Sequence, residues 1–300
     1  MEKMWKLLVP VDFCHGCTNA FNLALSLAKK QNSKIYLSHI ISDPQIIDPL
    51  YASDIHQKMS FEEIKGKIEK EMGEVYIKKA RGISEIDTLI TKGYAASEIV
   101  ESAKKIEADL IVMATHARKI LKHAFIGSIA EKVLRTSPCP VLTTKLGNEI
   151  NFDKFDVKNI LVPVDFSEHS EKGFKLSVKL ARLFNARIHI LYVLQPISFY
   201  PYYYGEYFSS EGVIIKMEEE VKDRLESLIR EKGEGYKDIT YNIQIGEPFQ
   251  DILEKGKSIK ADLIVMGTHG RTGFSHLLMG SVAERVVRLA ECPVLTVKGD

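Results

Sequence analysis

The chain has 300 residues, of which 45% are hydrophobic and 27% charged, and its formal net charge is +1. That length suggests about two domains, each able to bury a core of its own. The near-neutral balance argues against broad attraction to nucleic acid or to an anionic membrane surface, and no apolar run approaches transmembrane length. The start, Met1-Glu-Lys-Met-Trp-Lys6, lacks a signal-peptide layout, so a cytoplasmic location is expected.

In chain order, the first strand is predicted near Lys6–Val11, and later strands near Lys34–Ile41, Glu85–Ile90, Asp109–Ala114 and Val141–Lys145. Directly after the first strand comes Cys14-His-Gly-Cys17. A helix N-terminus lowers a thiol pKa, so a redox pair is one reading and an incidental structural role another. Zinc would need two more ligands, of which His15 is one candidate, and there is no second C-x-x-C. Cys139 is followed by Pro-Val-Leu, and the same is true of Cys292; both are expected to act as small buried hydrophobes.

A polar join that begins at Gly147, 147–156, separates this unit from a second copy of itself. Lys6-Leu-Leu-Val-Pro-Val-Asp-Phe13 returns as Asn159-Ile-Leu-Val-Pro-Val-Asp-Phe166, and Ala108-Asp-Leu-Ile-Val-Met113 returns as Ala261-Asp-Leu-Ile-Val-Met266. Cys139-Pro-Val-Leu-Thr143 returns as Cys292-Pro-Val-Leu-Thr296, always 153 residues later, and positions 108–145 share 22 of 38 residues with 261–298. A period this long is duplication of a whole domain rather than a solenoid. The expected domains are residues 1–147 and 148–300.

The second unit repeats the alternation: a strand at Asn159–Val164, a helix near Ser170–Phe184 and a strand at Arg187–Val193. An aromatic insertion follows, Ser198-Phe-Tyr-Pro-Tyr-Tyr-Tyr-Gly-Glu-Tyr-Phe208, which reads either as a lid or interface anchor or as a loop packing on itself. The charged helix near Gly212–Glu231 presents a solvated face. A strand near Ile239–Ile245, a helix near Pro248–Ser258 and strands at Asp262–Met266 and Val294–Lys298 complete the unit. Five strands alternating with helices imply right-handed βαβ crossovers. The fold class is α/β: two tandem doubly wound parallel five-stranded sheets of order 3-2-1-4-5. The ligand crevice would lie at the carboxyl ends of strands 1 and 4, where the order reverses.

That crevice would receive Met266-Gly-Thr-His-Gly-Arg-Thr-Gly-Phe-Ser-His-Leu-Leu-Met-Gly-Ser281. Glycine permits close backbone approach, and a helix N-terminus favours an anion such as phosphate. The spacing Gly267-x2-Gly270-x9-Gly280-Ser281 is neither a P-loop nor a Gly-x-Gly-x-x-Gly fingerprint. An ordinary glycine-rich connection is the alternative. At the matching places the first unit has Ala114-Thr-His-Ala117 and Gly127-Ser128. A methyl group there would cost about 1–3 kcal/mol if a ligand must touch the backbone. The loop of the first unit is therefore expected to be the degenerate one.

Glycine spacing, the Val-Pro-Val-Asp-Phe start, the Ala-Asp-Leu-Ile-Val-Met run and the Cys-Pro-Val-Leu ending together resemble the universal stress protein family, as two units in tandem. The resemblance implies an adenine-nucleotide alpha-hydrolase-like Rossmannoid fold that binds ATP, or ADP or AMP, with or without Mg2+, in stress adaptation. It implies that Pro163, Val164 and Asp165 line the adenosine side, that Val193 contacts adenine through its backbone, and that Met266 and Gly267 lie by the ribose. His269, Gly270 and Arg271 would approach the phosphates, and Gly280, Ser281 and Val282 would cradle them. No catalytic residue and no metal ligand is assigned. Asp165 also reads as a cap or turn residue, His269 and Arg271 as solvated side chains, and Ser281 as a helix N-cap.

The family further implies an internal pseudo-dimer through the last strands, with a homodimer and an unidentified protein as further partners. Neither nucleic acid nor membrane is expected. A slow ATPase or phosphoryl-transfer enzyme, with Asp165 and His269 as the candidates at the crevice, is a second reading, although no Walker lysine is present. A nucleotide-free interaction scaffold is a third.

Overall fold

The structure is a computed structural model that describes residues 4–42, 60–80, 82–115, 126–145, 153, 155–195, 210–270 and 279–299. The chain divides into two compact units, Met1–Asp156 and Val157–Asp300.

In the first unit, β1 (Trp5–Pro10), α1 (His15–Lys30), β2 (Ser33–Ile41), α2 (Phe61–Val75) and a short 3-10 turn lead to β3 (Glu85–Lys92). Then come α3 (Ala95–Ile106), β4 (Leu110–Ala114), α4 (Ser128–Thr136) and β5 (Val141–Thr144). The strands are parallel in the order β3-β2-β1-β4-β5. Central β1 and β4 are short apolar runs, and Leu7, Leu8, Val9, Ile111 and Val112 are buried between helices on the two faces. Outer β3 is mostly part-exposed, so it tolerates the alternating polar residues of Glu-Ile-Asp-Thr.

The second unit repeats this plan with β6 (Asn159–Pro163), α5 (Glu168–Phe184), β7 (Arg187–Leu194), α6 (Ser210–Lys232) and β8 (Ile239–Ile245). It ends with α7 (Pro248–Ser258), β9 (Leu263–Gly267), α8 (Ser281–Leu289) and β10 (Val294–Val297). Its strand order, β8-β7-β6-β9-β10, again places strands 1 and 4 of the unit side by side. Buried Ile160, Leu161, Val162, Ile188, Ile190 and Val265 form the sheet's share of the core, and Phe174 packs from α5.

The repeated Ala-Asp has a structural cause at the end of the sheet away from the crevice. Asp109 Oδ2 accepts the backbone N–H of Lys6 at 2.9 Å. Asp262 Oδ2 accepts those of Lys158 and Asn159 at 2.8 and 2.9 Å. Each carboxylate thus ties the start of its unit's first strand to the strand that follows third in the chain.

Expected and observed boundaries differ by a residue or two at most strand ends. The cysteines of the repeated Cys-Pro-Val-Leu depart more clearly from expectation. Cys139 and Cys292 are half-buried rather than buried, each lying just before the last strand of its unit. Burial still pushes the Cys139 thiol up to about 11. The aromatic stretch 198–208 lies outside the described residues.

Candidate functional site

At the carboxyl end of β6 the chain turns sharply into α5. Asp165 Oδ1 accepts the Ser167 backbone N–H at 3.0 Å and the Ser167 hydroxyl at 2.6 Å. Ser167 is the N-cap of α5, its oxygen accepting the Ser170 N–H at 3.3 Å. Asp165 therefore shapes the turn while Ser167 caps the helix. Between them Phe166 has φ 60, the left-handed region. A residue with a Cβ pays roughly 1–2 kcal/mol there. Its ring offsets this by packing 5.1 Å from the Tyr192 ring, with the Arg224 guanidinium 4.0 Å above it. Nothing in the residue type announced this strain, but the repeated Asp-Phe is its trace, since Phe13 has φ 59 in the first unit.

The carboxyl end of β9 forms the opposite lip. Met266 is buried, Gly267 and His269 are part-exposed and Gly270 is exposed. The Ser167 hydroxyl reaches the His269 carbonyl at 3.3 Å, which joins the two lips. A Cβ built on Gly270 would lie 2.6 Å from Asp165 Oδ2, so the absence of a side chain lets the loop backbone pass close to that carboxylate. His269 Nδ1 lies 3.0 Å from Thr268 Oγ1, while its Nε2 is buried and has no hydrogen-bond partner among the described residues. The His169 ring stands 5.1 Å from that of His269. Burial first, and then the charge of His269, hold the His169 pKa below its usual value.

α8 completes the crevice. Its N-cap is Gly280, not Ser281. The Gly280 N–H donates to the Thr268 carbonyl at 2.8 Å, and a Cβ at this position would come within 3.1 Å of the same oxygen. Close approach to β9 thus moves the cap one residue earlier than the hydroxyl of serine suggests. No side chain of the described residues caps α8, and Ser281 is exposed in its first turn. Its leading N–H groups and the positive end of its dipole therefore lie at the crevice end of the unit.

The adenosine-side candidates fall on the same edge. Pro163 ends β6 opposite Leu191 of β7, and the Val164 N–H bonds the Leu191 carbonyl at 2.9 Å. Val193 lies two residues further on and pairs with Gln244 of β8. Its edge toward β6 is consequently beyond the ladder. Pro163, Val164, Asp165, Val193, Met266, Gly267, His269, Gly270, Gly280, Ser281 and Val282 are placed by these elements, whereas Arg271 lies outside the described residues. Ser167, Thr268 and His169 were not singled out from the sequence. The first was legible as the i+3 partner of Ser170 at a helix start; the others had no local signal.

Neither Gly267 nor Gly270 has a positive φ. Gly267 is small because a Cβ would come 2.7 Å from His169 Cβ and 2.9 Å from the Ser170 nitrogen, against the start of α5. Of the three glycines, Gly270 is the exposed one facing Asp165.

The model of the Universal stress protein family matches residues 4–145 and again 156–298. Universal stress protein MJ0531 of Methanocaldococcus jannaschii is 36% identical over 145 residues, 47% of this chain and 82% of its own. A universal stress protein from Archaeoglobus fulgidus superposes over 98% of this chain and 96% of its own, with a TM-score of 0.64 and 21% identity. The functionally unknown protein PA1789 from Pseudomonas aeruginosa does so over 99% and 93%, with a TM-score of 0.70 and 20% identity. Those two likenesses show the fold alone. No helix among the described residues is long and apolar enough to cross a membrane. With both halves matched in sequence and the same doubly wound order in each, the chain belongs to the universal stress protein family, as two units in tandem.

Proposed function

We propose that the second unit binds ATP in the crevice between β6 and β9 and that the chain acts in stress adaptation as a nucleotide-dependent interaction module. The observation that carries this reading is the uncapped N-terminus of α8 beside the bare backbone of Gly270. Helix N–H groups at such an end suit the oxygens of a phosphate chain. His269 Nε2 supports it as a buried polar atom with no hydrogen-bond partner among the described residues; the tautomer in which Nδ1 accepts from Thr268 would leave Nε2 with a hydrogen to donate. Gly280, Ser281 and Val282 would cradle the phosphates from the helix, and Gly270, His269 and Arg271 from the loop. Met266 and Gly267 would face the ribose, and Val193 would offer its backbone to adenine. A carboxylate beside a triphosphate is repelled unless it meets ribose hydroxyls or a divalent ion. Asp165 is accordingly assigned to the ribose or to Mg2+.

Titration of the full chain with ATP, with and without Mg2+, tests this reading. One equivalent of heat or fluorescence change, lost on Asp165→Ala, is expected. No saturable binding in either condition would leave the interaction scaffold as the surviving alternative.

A further inference from the structure

At the place where the second unit carries Ser167 and Ser170, the first carries Cys14 and Cys17, on the same scaffold. The Cys17 N–H donates to Cys14 Sγ at 3.3 Å, as the Ser170 N–H does to Ser167 Oγ at 3.3 Å. The Asp12 N–H reaches Cys17 Sγ at 3.4 Å, matching Asp165 and Ser170 at 3.4 Å. Asp12 Oδ1 accepts the Cys14 N–H at 3.1 Å, as Asp165 Oδ1 accepts that of Ser167 at 3.0 Å. Sulfur has replaced oxygen at both helix-start positions without disturbing the turn.

The two sulfurs stand 3.0 Å apart. A disulfide bond is about 2.05 Å, so side-chain rotation closing about 1 Å would join them. Cys14 is part-exposed, whereas Cys17 is 5% exposed. The outer sulfur is the N-cap of α1, where N–H groups and the dipole stabilise a thiolate. Its hydrogen bond with Cys17 lowers its pKa further, and the same pairing raises that of Cys17. Asp12 Oδ1 lies 2.9 Å from Cys17 Sγ, in line to take that thiol's proton.

We propose that Cys14 and Cys17 form a reversible dithiol–disulfide couple, with Cys14 as the attacking sulfur and Cys17 as the resolving one, whose oxidant is a low-molecular-weight disulfide. The Cys14 thiolate attacks one sulfur of the small disulfide, forming a mixed disulfide and releasing one thiolate. Cys17 then loses its proton to Asp12 and attacks Cys14 Sγ, which expels the second thiolate. Protons from Asp12 and solvent leave two small thiols. The protein is oxidised by two electrons and the small disulfide is reduced by two. This couple is independent of the nucleotide reading, since it lies in the other unit and needs no ligand.

Asp12, Cys14 and Cys17 also lie within 4.8 Å of one another, a grouping that could hold a metal ion. Tetrahedral thiolates on zinc at about 2.3 Å stand roughly 3.7 Å apart, farther than these sulfurs. The closer spacing favours the disulfide.

The test equilibrates the full chain in buffers of varied glutathione to glutathione disulfide ratio, quenches in acid, alkylates and maps the peptides by mass. Two of the four cysteines should be lost together, with the link located between Cys14 and Cys17. Cys14→Ser should abolish the link, and Cys17→Ser should trap a mixed glutathione disulfide at Cys14. In the reduced chain, Cys14 should alkylate roughly tenfold faster than Cys17 at neutral pH. Four thiols persisting in a large excess of glutathione disulfide would overturn the proposal. So would a link involving Cys139, Cys292 or a second chain, faster alkylation of Cys17, or stoichiometric zinc protecting both thiols until it is chelated.

Discussion

The two units share one backbone plan and differ at the lips of their crevices. In the second unit Gly267 faces the start of α5, where His169 occupies the space a Cβ would need. In the first unit the corresponding residues are Ala114 and Gly16, the small and large positions exchanged. Part of the apparent loss of glycine in the first unit is therefore a packing exchange with the following helix. The Gly280 position remains glycine as Gly127, because in both units a Cβ would collide with a threonine carbonyl, at 3.1 and 2.9 Å. Gly270 and its counterpart Ala117 are left as the substitution that bears on the proposed nucleotide. A repeat read only as intact or degenerate would miss this division of causes.

The largest effect that can test the comparison is therefore at Gly270. Gly270→Val places a branched side chain against Asp165, and we expect the ATP dissociation constant to rise about ten- to a thousandfold while the folded fraction is unchanged. If the variant binds as the parent does, the nucleotide does not pass between Gly270 and Asp165. A chain carrying Ala114→Gly and Ala117→Gly together should gain at most weak binding in the first unit, since Ala114 answers to helix packing.

The exchange itself is open to a double-mutant cycle. Gly267→Ala forces a methyl against the backbone of α5 and should cost about 1–3 kcal/mol by chemical denaturation. Adding His169→Gly removes one of the colliding atoms, so the pair should recover part of that loss, a coupling of about 1 kcal/mol. Additive losses would show that the helix backbone alone sets the limit and that Gly16 is no compensation for Ala114.

These cases show which features of the chain were legible. The 153-residue repeat and the alternation of apolar runs with helical spacing were enough to specify both sheets. Each strand is short and apolar, and parallel pairing admits few topologies. The meeting of Asp165 with the glycine stretch followed from strand order alone. The reason for each glycine did not, because a glycine is chosen by atoms distant in sequence: the Thr268 carbonyl, the His169 side chain, the Asp165 carboxylate. The cap of α8 was misplaced for the same reason. Ser281 has the hydroxyl, but the bond from the Gly280 N–H to Thr268 fixes where the helix begins.

Oxygen and sulfur at the helix starts offer a smaller contrast. Ser167 is a strong cap, and Ser167→Ala should destabilise the chain by about 1 kcal/mol. Cys14→Ala removes a weaker acceptor and should cost less, about half as much under reducing conditions. Equal losses would mean that the turn, rather than the cap atom, holds the start of each helix.

The smallest contrast is in pH. Burial and His269 lower the His169 pKa, and burial with Arg187 lowers that of His189. The folded second unit thus favours both rings neutral, while the unfolded chain binds protons near the ordinary value of 6.5. Above that pH neither state is charged at these positions and the contribution is fully present. As pH falls below it, the unfolded state takes up protons first and stability is lost until the folded rings also titrate. The first unit has Gly16 and Tyr36 at the corresponding positions. Hydrogen exchange of the full chain between about pH 7.5 and 5.5, corrected for intrinsic rates, should therefore show protection falling in the second unit more than in the first. His169→Gln should flatten that fall and His189→Gln should remove part of the remainder. Equal loss in both units, or an unchanged slope in His169→Gln, would place the acid sensitivity in groups the two units share and leave the histidine pair without a part in it.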